Sequence, residues 1–206
     1  MEEKLVIKET CKNRFEPVVL RIKQLLASQV DCIIVTIDGM SASGKSTLGF
    51  YLKELFECNL FHMDDFFLQD YQRTEERLSE IGGNVDYERF KEEVLISILK
   101  KETIYYRKFS CKTRKMQPII EVPFQRLNII EGSYSQHPYF NDIYEQYKNV
   151  IYRLSVFTEI SNELQIERIK NRNGEQMLER FLLEWIPKEN VYFKIFQVKE
   201  KSHILV

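Results

Sequence analysis

Gly39-Met40-Ser41-Ala42-Ser43-Gly44-Lys45-Ser46-Thr47 sets two glycines ahead of a lysine and two hydroxyls, in the spacing G-x-x-x-x-G-K-[ST]. Glycines let a backbone curl until successive N–H groups converge on a polyphosphate. The lysine then reaches the β/γ-phosphates, and the following hydroxyl is placed to ligate Mg²⁺. Gly39, Ser41, Ala42, Ser43, Gly44, Lys45, Ser46 and Thr47 are therefore expected to cradle the phosphates of a nucleoside triphosphate. Three further groups could act on such a ligand. Asp64 and Asp65, in His62-Met63-Asp64-Asp65-Phe66-Phe67, offer a carboxylate to accept the proton of an attacking hydroxyl. Of the pair Asp64 is preferred, and His62 is expected to be a packed or loop residue. Glu131 is suited to hold Mg²⁺ together with Ser46. Arg168 and Arg172, four apart and so on one helical face, could neutralise charge on a transferred phosphoryl group. Lys45, Asp64, Arg168 and Arg172 form the expected catalytic set.

These groups need strands and helices to place them. Cys32-Ile33-Ile34-Val35-Thr36-Ile37 is a short β-branched run, the pattern of a buried parallel strand ending at the glycine loop. Leu48, Leu52, Leu55 and Phe56 then recur at helical spacing, so a helix N-terminus is expected to add its partial positive charge to the phosphate site. Residues 59–63, 118–123, 127–131, 150–157 and 202–206 read as further strands. Val18, Val19, Ile22, Leu25 and Leu26 mark a helix over 15–28, and residues 1–30 form a helical lead-in. A loop with some helix covers 68–85, and Asp86 caps a helix carrying Tyr87, Phe90, Val94, Leu95, Ile98 and Leu99. Residues 102–117 are basic and aromatic with no clear period. A charged helix spans 161–172, Asn173-Gly174 breaks it, and another helix runs from Glu175 to Trp185, ending before Pro187. Trp185-Ile186-Pro187 and Tyr192-Phe193 are expected in the core. Strands alternating with helices imply one α/β domain over 1–206, built on a parallel sheet.

Composition narrows the partners. The 206 residues carry 30 Lys and Arg against 31 Asp and Glu, without the basic excess of a nucleic-acid binder. No apolar run is long enough to span a membrane, and the N-terminus lacks the long apolar core of a signal peptide. Cys11, Cys32, Cys58 and Cys111 are far apart and contain no C-x-x-C pair, which argues against zinc and against a disulfide framework. A cytoplasmic location with reduced thiols is the expectation.

The glycine loop, Asp64-Asp65-Phe66-Phe67, Asn84-Val85-Asp86-Tyr87-Glu88-Arg89-Phe90, Ile130-Glu131-Gly132-Ser133-Tyr134 and the late arginine-rich helix stand in one order. That order, from about residue 31 to the C-terminus, resembles the uridine kinase / phosphoribulokinase / pantothenate kinase family of P-loop small-molecule kinases. The resemblance implies a parallel five-stranded sheet with helices on both faces and a mobile lid at about 159–175. It implies ATP and Mg²⁺ as cofactors, Asp64 as general base, Asp86 as a contact to the acceptor's sugar, and lid arginines at Arg168 and Arg172. It also allows a homodimer. Uridine–cytidine kinases read the pyrimidine with a Tyr-Asp-Phe segment followed by His and Arg. The comparable stretch here, residues 105–114, keeps the aromatics and lacks the Asp and His. Tyr106 and Phe109 are then expected to stack on a ring, with Arg107, Lys108 and Arg114 able to hold an anionic acceptor. The leading expectation is ATP-dependent phosphorylation of a hydroxyl on a nucleoside-like small molecule. Pantothenate or a sugar phosphate is an alternative acceptor. A nucleotide-hydrolysing regulatory protein is an alternative class, although no N-K-x-D motif for guanine is present.

Overall fold

A computed structural model describes residues 2–206, with side chains described for Glu9 and for 12–206. Helix α1 (Glu2–Leu26) leads to strand β1 (Ile33–Gly39), the glycine loop and helix α2 (Lys45–Leu55). Strand β2 (Asn59–His62) runs into a 3₁₀ turn over Met63–Phe66, and a short helix α3 (Glu75–Ser79) follows. Helices α4 (Tyr87–Phe90) and α5 (Ile96–Lys100) are joined through a π turn at Lys91–Leu95. Four short strands come next: β3 (Ile104–Tyr106), β4 (Phe109–Ser110), β5 (Lys115–Met116) and β6 (Ile120–Val122). Then come β7 (Leu127–Glu131), α6 (Asn141–Gln146), β8 (Tyr152–Thr158) and α7 (Asn162–Asn173). The chain closes with α8 (Glu175–Arg180), a π turn at Phe181–Trp185, α9 (Ile186–Phe196), α10 (Val198–Lys201) and β9 (Ile204–Leu205).

The central sheet has the order β2-β7-β1-β8-β9, with every neighbouring pair parallel. All seven residues of β1 are buried, as a strand covered on both faces requires. Its side chains alternate. Ile33, Val35 and Ile37 pack with Val18, Ile22, Leu25, Leu48 and Leu52 under α1 and α2. Cys32 and Ile34 face the opposite layer, with Phe90, Val94, Ile98, Tyr144 and Tyr192. The α/β fold with five parallel strands and helices on both sides is as the sequence implies. Residues 118–123 do supply a strand, β6, but it pairs antiparallel with β3 in a separate ribbon.

One helix boundary differs from expectation. The chain does not end its helix before Pro187; it passes through the π turn into α9, with Pro187 in that helix's first turn. Proline lacks the N–H that a helix interior needs, and the widened π turn resets the hydrogen-bond register so that the ring falls where no donor is required. Among the described residues no helix is long and apolar enough to cross a membrane. Cys32, Cys58 and Cys111 are free thiols, and Cys11 lies outside the described side chains.

Candidate active site

Parallel sheets bind ligands beyond the carboxyl ends of their strands. β1, β2 and β7 end there at Gly39, His62 and Glu131, and the ladders align them: Ile37 pairs with Glu131, which pairs with His62. The cavity over these ends holds about 1160 Å³ and is lined by Ala42, Gly44, Lys45, Ser46 and Thr47 on one side. Asp64, Phe67, Asn84, Val85, Phe109 and Glu131 line it as well, Glu131 next to Ser46.

The glycine loop is wound as a cradle. Ala42 takes φ 60°, and α2 begins at Lys45, so its first N–H groups open on the cavity. The Lys45 ammonium donates to the carbonyls of Gly39 (2.8 Å) and Met40 (3.0 Å), folded over the loop it would leave to meet a phosphate. Ser46 Oγ donates to Glu131 Oε1 at 3.0 Å, so a hydroxyl and a buried carboxylate converge. His62 Nδ1 meets the same carboxylate oxygen at 2.5 Å. His62 is thus not a packing residue alone: it fixes the carboxylate that Ser46 shares. Among the described residues no three His, Cys, Asp or Glu side chains cluster to hold a metal by themselves. Mg²⁺ at a phosphate site asks for less, one or two protein oxygens completed by phosphates and water, and Ser46 with Glu131 fits that demand.

The acid pair after β2 divides. Asp65 is tied to the Lys108 ammonium at 2.9 Å. Asp64 makes no hydrogen bond or ion pair among the described residues and opens on the cavity. Crowding by protein raises its pKa, the Glu131 charge adds to this, and Lys45 and His62 oppose it.

From α7, Arg168 Nη1 donates to the Ala42 carbonyl at 3.1 Å, and Arg172 is exposed along the same cavity. The expected acceptor contacts separate. Phe109 faces the cavity, while Tyr106 is buried and stacked on Phe66 with ring centroids 5.9 Å apart. Asp86 is engaged as the cap of α4, accepting from Arg89 N at 3.1 Å, Gln72 Nε2 at 2.9 Å and Arg89 Nε at 3.3 Å. Arg107 is exposed and is not among the cavity-lining residues, its backbone tied to Glu93 and Arg89.

Two interactions from α9 had no signature in the sequence. Glu189, 5% exposed, accepts from Ser41 N (3.0 Å), Ser41 Oγ (2.8 Å) and Ser133 Oγ (2.8 Å). Gln165 donates to the Ser41 carbonyl at 3.1 Å. Ser41 is thereby held by protein on every polar atom. Ser43 is likewise buried, its hydroxyl on Thr158. Glu189→Ala strands those three donors and is expected to lower stability by about 1–3 kcal/mol in urea unfolding. Glu189→Gln, whose amide oxygen still accepts, should lose less; equal losses would show that the carboxylate is not the anchor.

Tyr192 is the other interaction. Its hydroxyl donates to Asp38 Oδ2 at 2.8 Å, beside Gly39 N on Oδ1 (2.8 Å) and Gln136 N on Oδ2 (3.1 Å). Burial pushes Asp38 up to about 6, against the pull of Lys45 and these hydrogen bonds. The folded protein therefore holds this proton more tightly than the unfolded chain. The stability it confers is whole below about 3.8 and lost as pH rises to about 6. The difference in unfolding free energy between wild type and Asp38→Asn is expected to fall by on the order of 2–3 kcal/mol across that window. A difference that is flat with pH would contradict the assignment. Trp185 also departs from the expected core position: it lines the cavity, edge-on to Phe181 at 4.4 Å.

No family model matches this chain, and no curated protein sequence does. Solved structures match its fold. A structure described as a possible uridine kinase from Bacillus stearothermophilus superposes with a TM-score of 0.62 at 19% identity, covering 100% of this chain and 99% of that one. A candidate fructose transport system kinase from Silicibacter sp. superposes at 0.62 and 18% identity, covering 86% and 91%. At this identity the likeness establishes a shared fold.

Proposed function

We propose that this chain is an ATP-dependent phosphotransferase that moves the γ-phosphoryl group to a hydroxyl of a small molecule. The observation that carries this reading is Asp64: an unpaired carboxylate of raised pKa, opening on the cavity that also holds Lys45 and Ser46. A carboxylate so placed can take the proton of an acceptor hydroxyl, and the cavity beside it leaves room for an acceptor larger than water.

In this reading the N–H groups at the start of α2 and the Lys45 ammonium hold the triphosphate. Ser46 and Glu131 would hold Mg²⁺, which when bound neutralises charge between the β- and γ-phosphates. His62 keeps the Glu131 carboxylate in place. Asp64 takes the proton of the acceptor hydroxyl as its oxygen attacks phosphorus in line. Arg168 and Arg172 close from α7 onto the phosphoryl oxygens and stabilise the charge spread over them. The segment over about 159–175 serves as the lid, with Gly174 at its end at positive φ (81°). Phe67 and Phe109 give the acceptor side apolar walls against which a sugar ring or the carbon frame of a small polyol can pack.

The test is ADP formation from ATP with and without a panel of hydroxyl compounds. Release that depends on one acceptor class, with phosphate recovered on that acceptor, is the expected result. ATP hydrolysis at one rate whatever is added would point to the regulatory, nucleotide-hydrolysing alternative.

A further inference from the structure

Charge is spread unevenly over this nearly neutral chain. Eight Lys and Arg side chains line the cavity against four carboxylates, three of which are already engaged. Lys45, Arg168 and Arg172 stand with the glycine loop and α7, where a triphosphate would meet them. Arg73 and Arg114 come from different segments, the loop before α3 and the β4–β5 turn, and belong with Asn84, Phe109 and Cys111.

Three observations place these two arginines on the acceptor's side. The Cys111 thiol, raised chiefly by burial, is pushed further up by Asp64 and drawn down by Arg73, so both charges act on one group. The Arg73 guanidinium makes no hydrogen bond or ion pair among the described residues, and its side chain is exposed in the cavity. Arg114 pairs with Asp70, but both are open to water, 48% and 62% exposed. Such a pair contributes little and can be exchanged for another anion.

We infer that the acceptor is an anionic alcohol, a hydroxy acid or a phosphorylated polyol, and that Arg73 and Arg114 hold its oxyanion while Asp64 faces its hydroxyl. The inference rests on the phosphotransferase reading for the role of Asp64. Its physical reason is desolvation. Closing the cavity over a neutral acceptor would strip water from an unpartnered guanidinium; a carboxylate or phosphate replaces that water with charge-assisted, bidentate hydrogen bonds. Arginine suits the task because its planar fork matches either oxyanion.

Binding can be read apart from turnover. With the glycine loop filled by the non-hydrolysable analogue AMP-PNP and Mg²⁺, the protein is titrated with matched pairs: ribose against ribose 5-phosphate, and glycerol against glycerate. Calorimetry gives the affinities, and fluorescence of Trp185, the chain's one tryptophan and a cavity residue, gives an independent signal. At least one anionic member is expected to bind tenfold or more tightly than its neutral partner. Arg73→Gln and Arg114→Gln should each erase much of that preference and leave AMP-PNP affinity within about twofold. Both side chains are exposed, so folding is not at stake. Equal binding within each pair, tighter binding of uridine that the variants leave unchanged, or no binding of any anion would overturn the inference. If anions bind as expected and no transfer occurs with ATP, the phosphotransferase reading fails and the oxyanion site stands.

Discussion

Asp64→Asn is expected to lower acceptor-dependent turnover by about 10²- to 10⁴-fold, the range a positioned general base supplies. The substitution is nearly isosteric and touches no described hydrogen bond, since Asp64 makes none, so stability and ATP affinity should hardly move. The amide cannot take a proton from an attacking hydroxyl. The pH profile gives a second readout. The raised pKa of Asp64 means that its basic form is lost at higher pH than for an ordinary carboxylate. In the wild type kcat/KM should fall as pH drops through that raised value, and this limb should vanish in Asp64→Asn. Asp65→Asn is the control: it breaks the ion pair with Lys108 and should cost a small factor. If Asp65→Asn were the damaging change and Asp64→Asn mild, the base would be misassigned.

Gly39→Ala is expected to destabilise the fold by about 3 kcal/mol or more and to abolish nucleotide binding. Gly39 has φ 138°, and a Cβ there would lie 2.1 Å from the Thr158 carbonyl oxygen and 2.7 Å from its nitrogen. Both are backbone atoms of β8, in register with Gly39 and fixed by the β1–β8 ladder, so neither can yield without opening the sheet. Gly174 provides the contrast. It too has positive φ (81°), but nothing lies within 4 Å of the added carbon. Gly174→Ala should cost only the local backbone strain, about 1–3 kcal/mol. Urea unfolding of the two variants separates them, and comparable losses would mean that close packing against β8 is not what requires Gly39.

What the sequence revealed is what has short range. The glycine–lysine spacing, the β-branched run before it and the acids after β2 and β7 are patterns within a few residues of each other. Asp86 as an N-cap was equally local, and its side chain does accept from Arg89 N. What stayed hidden depends on partners far along the chain. Glu189 meets Ser41 across 148 positions, Tyr192 meets Asp38 across 154, and His62 meets Glu131 across 69. A glutamate in a charged, aromatic helix carries no local mark of such a role. Tyr106 was legible as an aromatic but not as a buried one, because the alternation of β3 is only three residues long and its inward face is settled by Phe61 and Phe66. Pro187 misled for a reason of backbone geometry: its penalty depends on hydrogen-bond register, and the π turn that resets the register leaves no signature in the residues themselves.

Under the proposed function Asp64 and the glycine loop form the two halves of one transfer site. Its most direct test follows label from γ-³²P-ATP in wild type and Asp64→Asn, with the acceptor drawn from the tightest-binding anionic alcohols. Label is expected on the acceptor hydroxyl in the wild type, with near-complete loss of that product in Asp64→Asn at undiminished ATP binding. Label recovered only as inorganic phosphate, at rates that neither the acceptor nor the substitution alters, would contradict it.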